Sequence, residues 1–481
     1  MTDPLLLLDK TLGNTVERLV RGHHRRRLRR IGWDSALDPD GTGLWAEGDP
    51  PPRDGNDVEV LIDGSTALPC IADEIRKARS HVHVAGWHVA PWFALTRGRH
   101  RKEVRPLLAE LAERVDVRVL VWAGSPLPLF RPDREDGEGI RHALGFGTRI
   151  KVALDAKERP MHCHHEKLVI VDDRVAFVGG IDLTSYDGDR WDTPEHVSRG
   201  AVGWHDAAVL LRGPVVADVA EHFRLRWQET AGEELPAPKR PRRAGDVELQ
   251  LVRTVPEKVY GALPRGHFRI LEAYTRALRS ARKLVYLENQ FFWSSEISEI
   301  LEHKLADPPH DDFRVVLVLP AHPNTGSDNT RGQLADLIEC DDGGGRLLAC
   351  TLTALGERGA CPVYVHAKIG IVDDHWFTLG SANLNEHSLF NDTEVNVVAC
   401  DPALARATRL RLWAEHLEQP ERSVSGDPAK VIDELWRPIA EEQLRRREAG
   451  EPQTHRLSQL PHLSRRRRRL LGPVEGLLVD G

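Results

Sequence analysis

The chain has 481 residues, too many for one hydrophobic core, so we expect more than one domain. Its net charge of −7 argues against a dedicated nucleic-acid-binding protein, whose surface is usually basic. No stretch reaches the roughly 20 apolar residues of a membrane-spanning helix, and residues 5–8 are too short for a signal-peptide core. We therefore expect a cytoplasmic protein, or one that is peripheral on the membrane.

The N-terminal 57 residues form a region of their own. Residues 1–32 predict a basic helix, because Leu12, Val16 and Leu19 fall at helical spacing ahead of an arginine-rich stretch. Residues 40–56 are rich in Gly, Pro and Asp, which is typical of a linker.

Residues 58–230 read as a first α/β domain. Residues 58–62 alternate like a strand, and residues 65–80 predict a helix. Further strands are predicted over 81–86 and 117–122. Strands that alternate with helices imply an α/β layer structure.

A second domain follows a linker over residues 231–247, which is rich in Pro and charge. Within residues 248–425 we predict a helix over 268–279 and strands over 283–288 and 313–319. The two halves therefore share one order of elements, which indicates a duplicated domain. Residues 426–481 predict a C-terminal helix and a basic tail.

Each half contains one copy of the pattern H-x-K-x-x-x-x-D. The copies are HEKLVIVD, starting at His165, and HAKIGIVD, starting at His366. On a strand, residues two apart face the same way, so each histidine is expected to project beside Lys167 or Lys368. An imidazole can act as nucleophile or proton donor, and an ammonium group can neutralise phosphoryl oxygens. The pair therefore predicts phosphate chemistry.

A small-residue turn follows each motif. The first, GGID, ends at Asp182, and the second, GSAN, contains Ser381 and ends at Asn383. Glycine allows a close approach of backbone to a ligand, and the Asn383 amide can donate a hydrogen bond to a phosphoryl oxygen. An ionised Asp182 cannot donate, so the two copies are not equivalent.

This paired motif resembles the hallmark of the phospholipase D superfamily, over about residues 58–420. Four further segments resemble its branch with eukaryotic-style phospholipases: GGIDLTSYDGDRWD, WHDAAVLLRGPVVADVAEHFRLRW, YLENQFF and GSANLNEHSLFNDTEVNV. The resemblance implies an α/β fold of two homologous α-β-α sandwich domains, packed so that both motifs meet in one active-site cleft.

The resemblance also implies roles for individual residues. His165 would be the nucleophile and His366 the general acid, with Asp206 and Glu394 as the carboxylates that orient them. The residues expected to hold the substrate phosphate are Lys167, Lys368, Asn383 and Ser381. The motif aspartates, Asp172 and Asp373, belong to the same catalytic set, although we expect them to brace the motif rather than react. Supporting roles fall to Asp182, Glu288, Asn289 and Gln290.

We expect no cofactor and no metal. His162, His164, His165 and Glu166 suggest a zinc site as an alternative, but the lysine at 167 would repel a cation. The six cysteines form no CxxC pair, and Cys163, beside the histidines, is interpreted as a packing residue rather than a catalytic thiol. Trp87, Trp92, Trp191 and Trp204 are either core residues or the lining of an acyl-chain pocket.

The expected partner is a phospholipid membrane surface. Three basic clusters, at residues 21–30, 239–243 and 465–469, are the candidates for contact with it. These clusters either dock on anionic lipid, where each basic side chain contributes about 1 kcal/mol, or are merely solvated. No nucleic acid and no protein partner is implied.

The leading hypothesis is hydrolysis of glycerophospholipids to phosphatidic acid and free headgroup through a covalent phosphohistidine. The first alternative is a phosphatidyltransferase, such as a cardiolipin synthase, that uses the same intermediate with an alcohol in place of water. A nuclease of the same superfamily and a non-enzymatic lipid-binding protein are further alternatives. The two intact motifs argue against the last.

Overall fold

A computed structural model describes residues 4–127, 130–159, 162–186, 188–323, 327–357 and 359–461. The basic cluster at 465–469 lies outside the described residues. Within them, no helix combines the length and the apolar character required to cross a bilayer.

The strands fall into two groups along the chain. Those of the first half are β1 (Arg53–Ile62), β2 (His81–Gly86), β3 (Ala94–Thr96), β4 (Lys102–Glu103), β5 (Asp116–Trp122), β6 (Lys151–Asp155), β7 (Leu168–Val171), β8 (Val175–Gly179), β9 (Gly203–His205) and β10 (Ala207–Arg212). Those of the second half are β11 (Val247–Val255), β12 (His267–Phe268), β13 (Leu284–Glu288), β14 (Arg314–Val318), β15 (Leu347–Ala354), β16 (Cys361–Val365), β17 (Ile369–Val372), β18 (Trp376–Gly380), β19 (Glu394–Cys400) and β20 (Leu457–Gln459).

The helices are divided in the same way. The first half has α1 (Pro4–Ile31), α2 (Gly64–Arg76), α3 (Val104–Ala112), α4 (Arg134–Gly145) and α5 (Val215–Ala231). The second half has α6 (Arg269–Ser280), α7 (Ser295–Ala306), α8 (Ser327–Asp341), α9 (Glu386–Phe390), α10 (Pro402–Leu417), α11 (Pro428–Val431) and α12 (Arg437–Glu448).

The two halves repeat one sheet topology. The first sheet has the order β1-β10-β8-β7-β2-β5-β6. The second has the order β11-β19-β18-β17-β13-β14-β15. In each sheet the last three strands are mutually parallel and the other pairings are antiparallel. The repeat confirms the predicted α/β fold of two similar halves.

Helices cover the sheets in layers. Helices α2, α3 and α4 pack on one face of the first sheet, whereas α1, α6, α7 and α8 pack on one face of the second. The remaining faces of both sheets share a core with α5 and α10. Burial of apolar side chains in this shared core is what holds the two halves together. Strand β9 of the first half also pairs in parallel with β16 of the second.

Two expected boundaries differ from the structure. Strand β1 starts at Arg53, inside the stretch predicted as a linker, because Arg53 and Asn56 pair with Leu249 and Val247 of β11. Such a long-range pairing leaves no local pattern in the sequence. Helix α2 ends at Arg76, four residues before the predicted end.

Helix α1 confirms the predicted basic helix, but several of its charged residues face the protein. Arg27 is buried and pairs with Glu257 at 2.6 Å, and both Arg21 and Arg25 pair with Glu299. These arginines therefore help to pack α1 against the second half and do not serve as contacts for a lipid surface. The arginines of this cluster that stay exposed are Arg26, Arg29 and Arg30.

Candidate active site

The two motif histidines lie together in the interior. The ring centroids of His165 and His366 are 6.4 Å apart, and both residues are buried. Neither histidine belongs to a strand, contrary to the sequence expectation, since β7 starts at Leu168 and β17 at Ile369. The cause is that each motif begins in a segment bound to the opposite half of the protein rather than to its own sheet.

Backbone hydrogen bonds cross between the halves at both motifs. The amide of His165 donates to the carbonyl of Thr393 at 3.0 Å, and the amide of His366 donates to the carbonyl of His205 at 2.7 Å. Thr393 and His205 each immediately precede one of the two predicted orienting carboxylates. The crossing therefore brings each carboxylate to the histidine of the other half.

The side-chain contacts follow the same crossed pattern. The His165 Nδ1 lies 3.1 Å from the Glu394 Oε1, and the His366 Nδ1 lies 2.7 Å from the Asp206 Oδ2. A carboxylate accepts the proton of Nδ1, which fixes this tautomer and leaves Nε2 for chemistry. The orienting role of the two carboxylates stays a prediction, and these contacts support it.

Burial shifts the titration of these groups. It raises the pKa of Asp206 to about 7 and that of Glu394 to about 8. Burial, reinforced by the nearby charges of Lys368 and Arg190, lowers the pKa of His366 well below its usual value. A positive charge on His366 is therefore disfavoured until an anion enters the site.

The two motif lysines have different surroundings. The Lys167 ammonium lies 3.1 Å from the Asp182 Oδ2, which forms an ion pair in the first half. The Lys368 ammonium instead donates to the Gln290 side-chain oxygen at 3.1 Å. In addition, each lysine donates to the carbonyl of its own motif histidine. The inequivalence expected from Asp182 is thus visible in these side-chain contacts, a carboxylate for Lys167 and an amide oxygen for Lys368.

The second turn supports Glu394 and adds an amide to the site. Ser381 and Ser388 both donate hydroxyl hydrogen bonds to the Glu394 carboxyl. The Asn383 amide nitrogen lies 3.4 Å from the Gln290 oxygen that also accepts from Lys368. Ser381 therefore acts on the orienting carboxylate, whereas Asn383 lies beside the lysine expected to bind phosphate.

The motif aspartates lie away from the histidines. The Asp172 carboxyl accepts hydrogen bonds from the backbone amides of residues 79, 80 and 81, at 2.7–2.9 Å. Asp373 accepts from those of residues 282, 283 and 284, at 2.7–2.8 Å. Both aspartates hold the turn that enters the neighbouring strand. These contacts support the bracing role expected of Asp172 and Asp373 rather than a part in the reaction.

Although Glu288, Asn289 and Gln290 are consecutive, their side chains contact different parts of the protein. Gln290 lies in the site, as described above. The Asn289 side-chain oxygen accepts from the backbone amides of Phe291 and Leu384 and so holds the adjoining loop. Glu288 faces away, between His205 at 2.8 Å and His416 at 2.8 Å. The supporting role of Glu288 therefore stays a prediction, and it would act through His205 and His416.

Sequence reasoning missed residues that surround His366. The Trp204 ring lies 5.1 Å from the His366 ring, and the Arg190 guanidinium lies 4.0 Å above Trp204. Trp204 also stacks on Tyr364 at 4.9 Å. Arg190 and Ser388 both lie inside the family-like segments, but nothing local in the sequence distinguished them from their neighbours. The sequence indicates for Trp204 only a place in the core or in the lining of a pocket.

The contacts around His165 do not assemble the alternative zinc site. His162 faces His387 and Asp392, whereas Glu166 pairs with Arg226 and His222. The four candidate ligands thus point to different partners, and His164 is held by Asp155 and Thr393. Cys163 is buried in a small aromatic cluster with Trp87 and Trp122, in agreement with a packing role.

Comparison with known proteins places this geometry in a family. A family model described as cardiolipin synthase, PLD-like domain, matches residues 274–414. Phospholipase D A of Dictyostelium discoideum is 25% identical, over 76% of this chain and 36% of that protein. Phospholipase D2 of Bos taurus is 25% identical, over 73% of this chain and 50% of that protein. The chain spans half or less of the length of these two relatives.

Among solved structures, phosphatidylserine synthase of Haemophilus influenzae Rd KW20 shares the fold. It superposes with a TM-score of 0.51 at 12% identity, over 75% of this chain and 86% of that one. In this chain, two similar halves place their H-x-K motifs in one interior site. The chain is a member of the phospholipase D superfamily.

Proposed function

We propose that the chain is a phospholipase D-type phosphodiesterase that hydrolyses glycerophospholipids to phosphatidic acid and a free headgroup. The observation that carries this proposal is the crossed pairing of His165 with Glu394 and of His366 with Asp206. It holds the two imidazoles with their ring centroids 6.4 Å apart, and an ammonium group lies beside each histidine. The superfamily relatives named phospholipase D support the same substrate class.

In the first step, the Nε2 of His165 attacks phosphorus and forms a P–N bond. The P–O bond to the headgroup alcohol breaks, and His366 donates its Nε2 proton to the departing oxygen. Glu394 stabilises the positive charge that develops on His165, as the carboxylate of a hydrolase triad does. Assignment of the nucleophile to the first motif rests on the resemblance to the family.

In the second step, water attacks the phosphohistidine. His366, now neutral, removes a proton from the water, the P–N bond breaks, and phosphatidic acid leaves. Lys167, Lys368 and Asn383 are proposed to hold the phosphoryl oxygens through both steps. Their ammonium and amide donors would stabilise the charge that accumulates in the transition states.

Transfer to an alcohol is the second candidate function. A phosphatidyltransferase would form the same intermediate and replace water with an alcohol acceptor. The cardiolipin synthase description of the matching family model favours this alternative. Because both reactions share every residue of the first step, they differ only in what occupies the position of the attacking water.

The test is a product analysis on defined phospholipids. Purified protein is incubated with phosphatidylcholine, phosphatidylethanolamine or phosphatidylglycerol, each with and without glycerol or ethanol, and the lipid products are separated. Hydrolysis predicts phosphatidic acid as the main product in water, whereas a transferase predicts product only with an alcohol acceptor. The matched controls are His142→Ala and His375→Ala, which remove exposed histidines, against His165→Ala and His366→Ala. Absence of both products with every substrate would contradict the proposal.

A further inference from the structure

A second cluster of ionisable side chains lies beside the proposed active site. It consists of Asp63, which follows β1, His196 in the loop before β9, His205 at the end of β9, and Glu415 on α10. We refer to these four residues as the His–carboxylate cluster. Three of them come from the first half and one from the second. Asp63, His196 and His205 are buried, and the Glu415 side chain is 7% exposed.

The four side chains converge on one point. The Glu415 Oε1 lies 3.4 Å from the His196 Nε2 and 3.4 Å from the His205 Nδ1. The Asp63 Oδ2 lies 3.6 Å from the same nitrogen of His196, and the Asp63 Oδ1 lies 3.0 Å from that of His205. A tetrahedral zinc ion, with bonds of about 2.0–2.2 Å, holds its ligand atoms about 3.3–3.6 Å apart. The four nitrogen–oxygen distances, 3.0–3.6 Å, are close to this separation, and one ligand atom from each residue lies within 4.8 Å of all the others.

The outer nitrogen of each histidine faces a further carboxylate. The His196 Nδ1 lies 3.3 Å from the Asp192 Oδ2, and the His205 Nε2 lies 2.8 Å from the Glu288 Oε2. Metal-bound histidines usually donate their second N–H to such a carboxylate, which fixes the tautomer and directs the lone pair to the ion. Both histidines of the cluster have this arrangement, and it accounts for the position of Glu288.

Several polar atoms of the cluster lack a hydrogen bond of ordinary geometry. They are both ring nitrogens of His196, the Asp63 Oδ2 and the Glu415 Oε1. The Arg199 guanidinium forms an ion pair with one of the surrounding carboxylates, Asp192. Buried carboxylates in excess of their cationic partners are costly, unless a cation or extra protons offset their charge.

We propose that the His–carboxylate cluster binds one divalent transition-metal ion, with Zn²⁺ as the ion that its ligand set fits. Two imidazole ligands favour zinc over magnesium or calcium, which prefer all-oxygen sites. The ion is bound by residues of both halves. It is separate from the histidine pair and takes no part in the proposed reaction, so the inference goes beyond the proposed function.

The metal site would affect catalysis only by positioning residues of the active site. His205 immediately precedes Asp206, and its carbonyl accepts the backbone amide of His366. Asp63 also accepts from the backbone amide of Asp206 at 3.2 Å. An ion held by Asp63 and His205 would therefore fix the segment that presents Asp206 to His366. These residues are positioning residues rather than catalytic ones.

The alternative is that protons replace the ion. Burial by itself lowers the pKa of His196, but the carboxylates of Asp63, Asp192 and Glu415 outweigh it and raise the pKa to about 9. Without a metal, His196 and His205 would therefore be imidazolium ions paired with these carboxylates. A measurement of metal content separates the two cases.

The experiment is elemental analysis of protein made without a polyhistidine tag and purified without chelator. We expect about one zinc per chain in the wild-type protein, and loss of this zinc in His196→Ala and in Glu415→Ala. The matched control is His387→Ala, which alters a different group of histidines and a carboxylate, His162, His387 and Asp392. This control should keep its zinc.

A second measurement uses only wild-type protein, so that the proposal can be tested even if the variants fail to fold. Wild-type protein produced in zinc-depleted medium with added Co²⁺ should show the visible absorption of four-coordinate cobalt. Wild-type protein that contains no transition metal, and takes up neither Zn²⁺ nor Co²⁺ in equilibrium dialysis, would overturn the proposal in favour of protonated histidines. Full retention of metal in His196→Ala with loss in His387→Ala would overturn it as well. Neither readout depends on enzymatic activity.

Discussion

The His165 imidazole of the first half is held by the Glu394 carboxyl of the second, at 3.1 Å. In the reverse pairing, the Asp206 Oδ2 of the first half lies 2.7 Å from the His366 Nδ1 of the second. Each half therefore supplies a reacting group that only the other half orients. A separated half would retain its H-x-K motif but lose the carboxylate that fixes its tautomer. The crossing also yields predictions that a merely adjacent pair of motifs would not.

The first prediction separates the roles of the two histidines. His165→Ala should form no covalent intermediate, whereas His366→Ala should lose general-acid assistance, worth about 10²–10⁴-fold. A substrate with a p-nitrophenol leaving group needs no proton, so it should partly rescue His366→Ala alone. Single-turnover kinetics with both substrates measures this. Rescue of His165→Ala instead would show that the roles are reversed.

The second prediction follows from the crossed contacts. Asp206→Asn should behave like loss of His366 function, and Glu394→Gln like loss of His165 function, each lowering kcat by about 10²–10⁴-fold. The p-nitrophenyl substrate should therefore rescue Asp206→Asn and not Glu394→Gln. The exposed carboxylate of Asp73 gives a matched control as Asp73→Asn. Grouping of each carboxylate with the histidine of its own half would contradict the crossed pairing.

The third prediction concerns pH. The pKa of His366 is lowered by burial and then by Lys368, Arg190, Lys167 and His165. A general acid works while protonated, so activity falls as pH rises through this pKa. A bound phosphodiester anion counteracts the nearby positive charges and raises the pKa. The descending limb of kcat, which reports the complex, should therefore lie at higher pH than that of kcat/KM, which reports the free enzyme.

A soluble short-chain substrate is needed for these profiles, since vesicle charge also changes with pH. His366→Ala should lose the descending limb in both profiles. Identical limbs for kcat and kcat/KM, at or above the ordinary pKa of histidine, would show that the burial and the cations around His366 do not govern its protonation.

The fourth prediction distinguishes bracing from catalysis at the motif aspartates. Asp373→Ala removes the acceptor of three backbone amides, and each hydrogen bond lost costs about 0.5–1.5 kcal/mol. The variant should lower the melting temperature, while kcat per folded molecule changes little. Asp172→Ala should behave alike, because its contacts are equivalent. A large fall in kcat with unchanged stability would return these residues to the catalytic set.

The sequence predicted the duplicated α/β fold because strand and helix periodicities repeat in the same order around two recognisable motifs. It also predicted the histidines, the lysines and the orienting carboxylates through the family resemblance. It did not predict that the pairs cross, since neither Thr393 nor His205 carries a local signal of pairing with the other half. For a related reason, the contacts of Glu288 were not predicted. Its neighbour Gln290 points into the site, but Glu288 itself faces His205 and His416, which are distant in sequence.

The last prediction concerns membrane docking. The proposed substrate bond lies at headgroup level, and the net charge of −7 would be repelled by an anionic surface. Arg21, Arg25 and Arg27 are paired within the protein, so attraction must come from other basic residues. The exposed candidates in the basic clusters are Arg26, Arg29, Arg30, Lys239, Arg240 and Arg242, to which the sequence adds Arg465–Arg469.

Such attraction is screened within about 8 Å at physiological salt. Binding to vesicles that contain phosphatidic acid should therefore weaken steeply as salt rises, and replacement of Arg465–Arg469 by glutamine should weaken it further. Replacement of Arg21 and Arg25 by glutamine serves as the matched control, because these two side chains already pair with Glu299. Turnover of a soluble substrate should not change with the tail substitution. If sedimentation with vesicles is insensitive both to salt and to that substitution, the basic clusters are solvated segments without a role in docking.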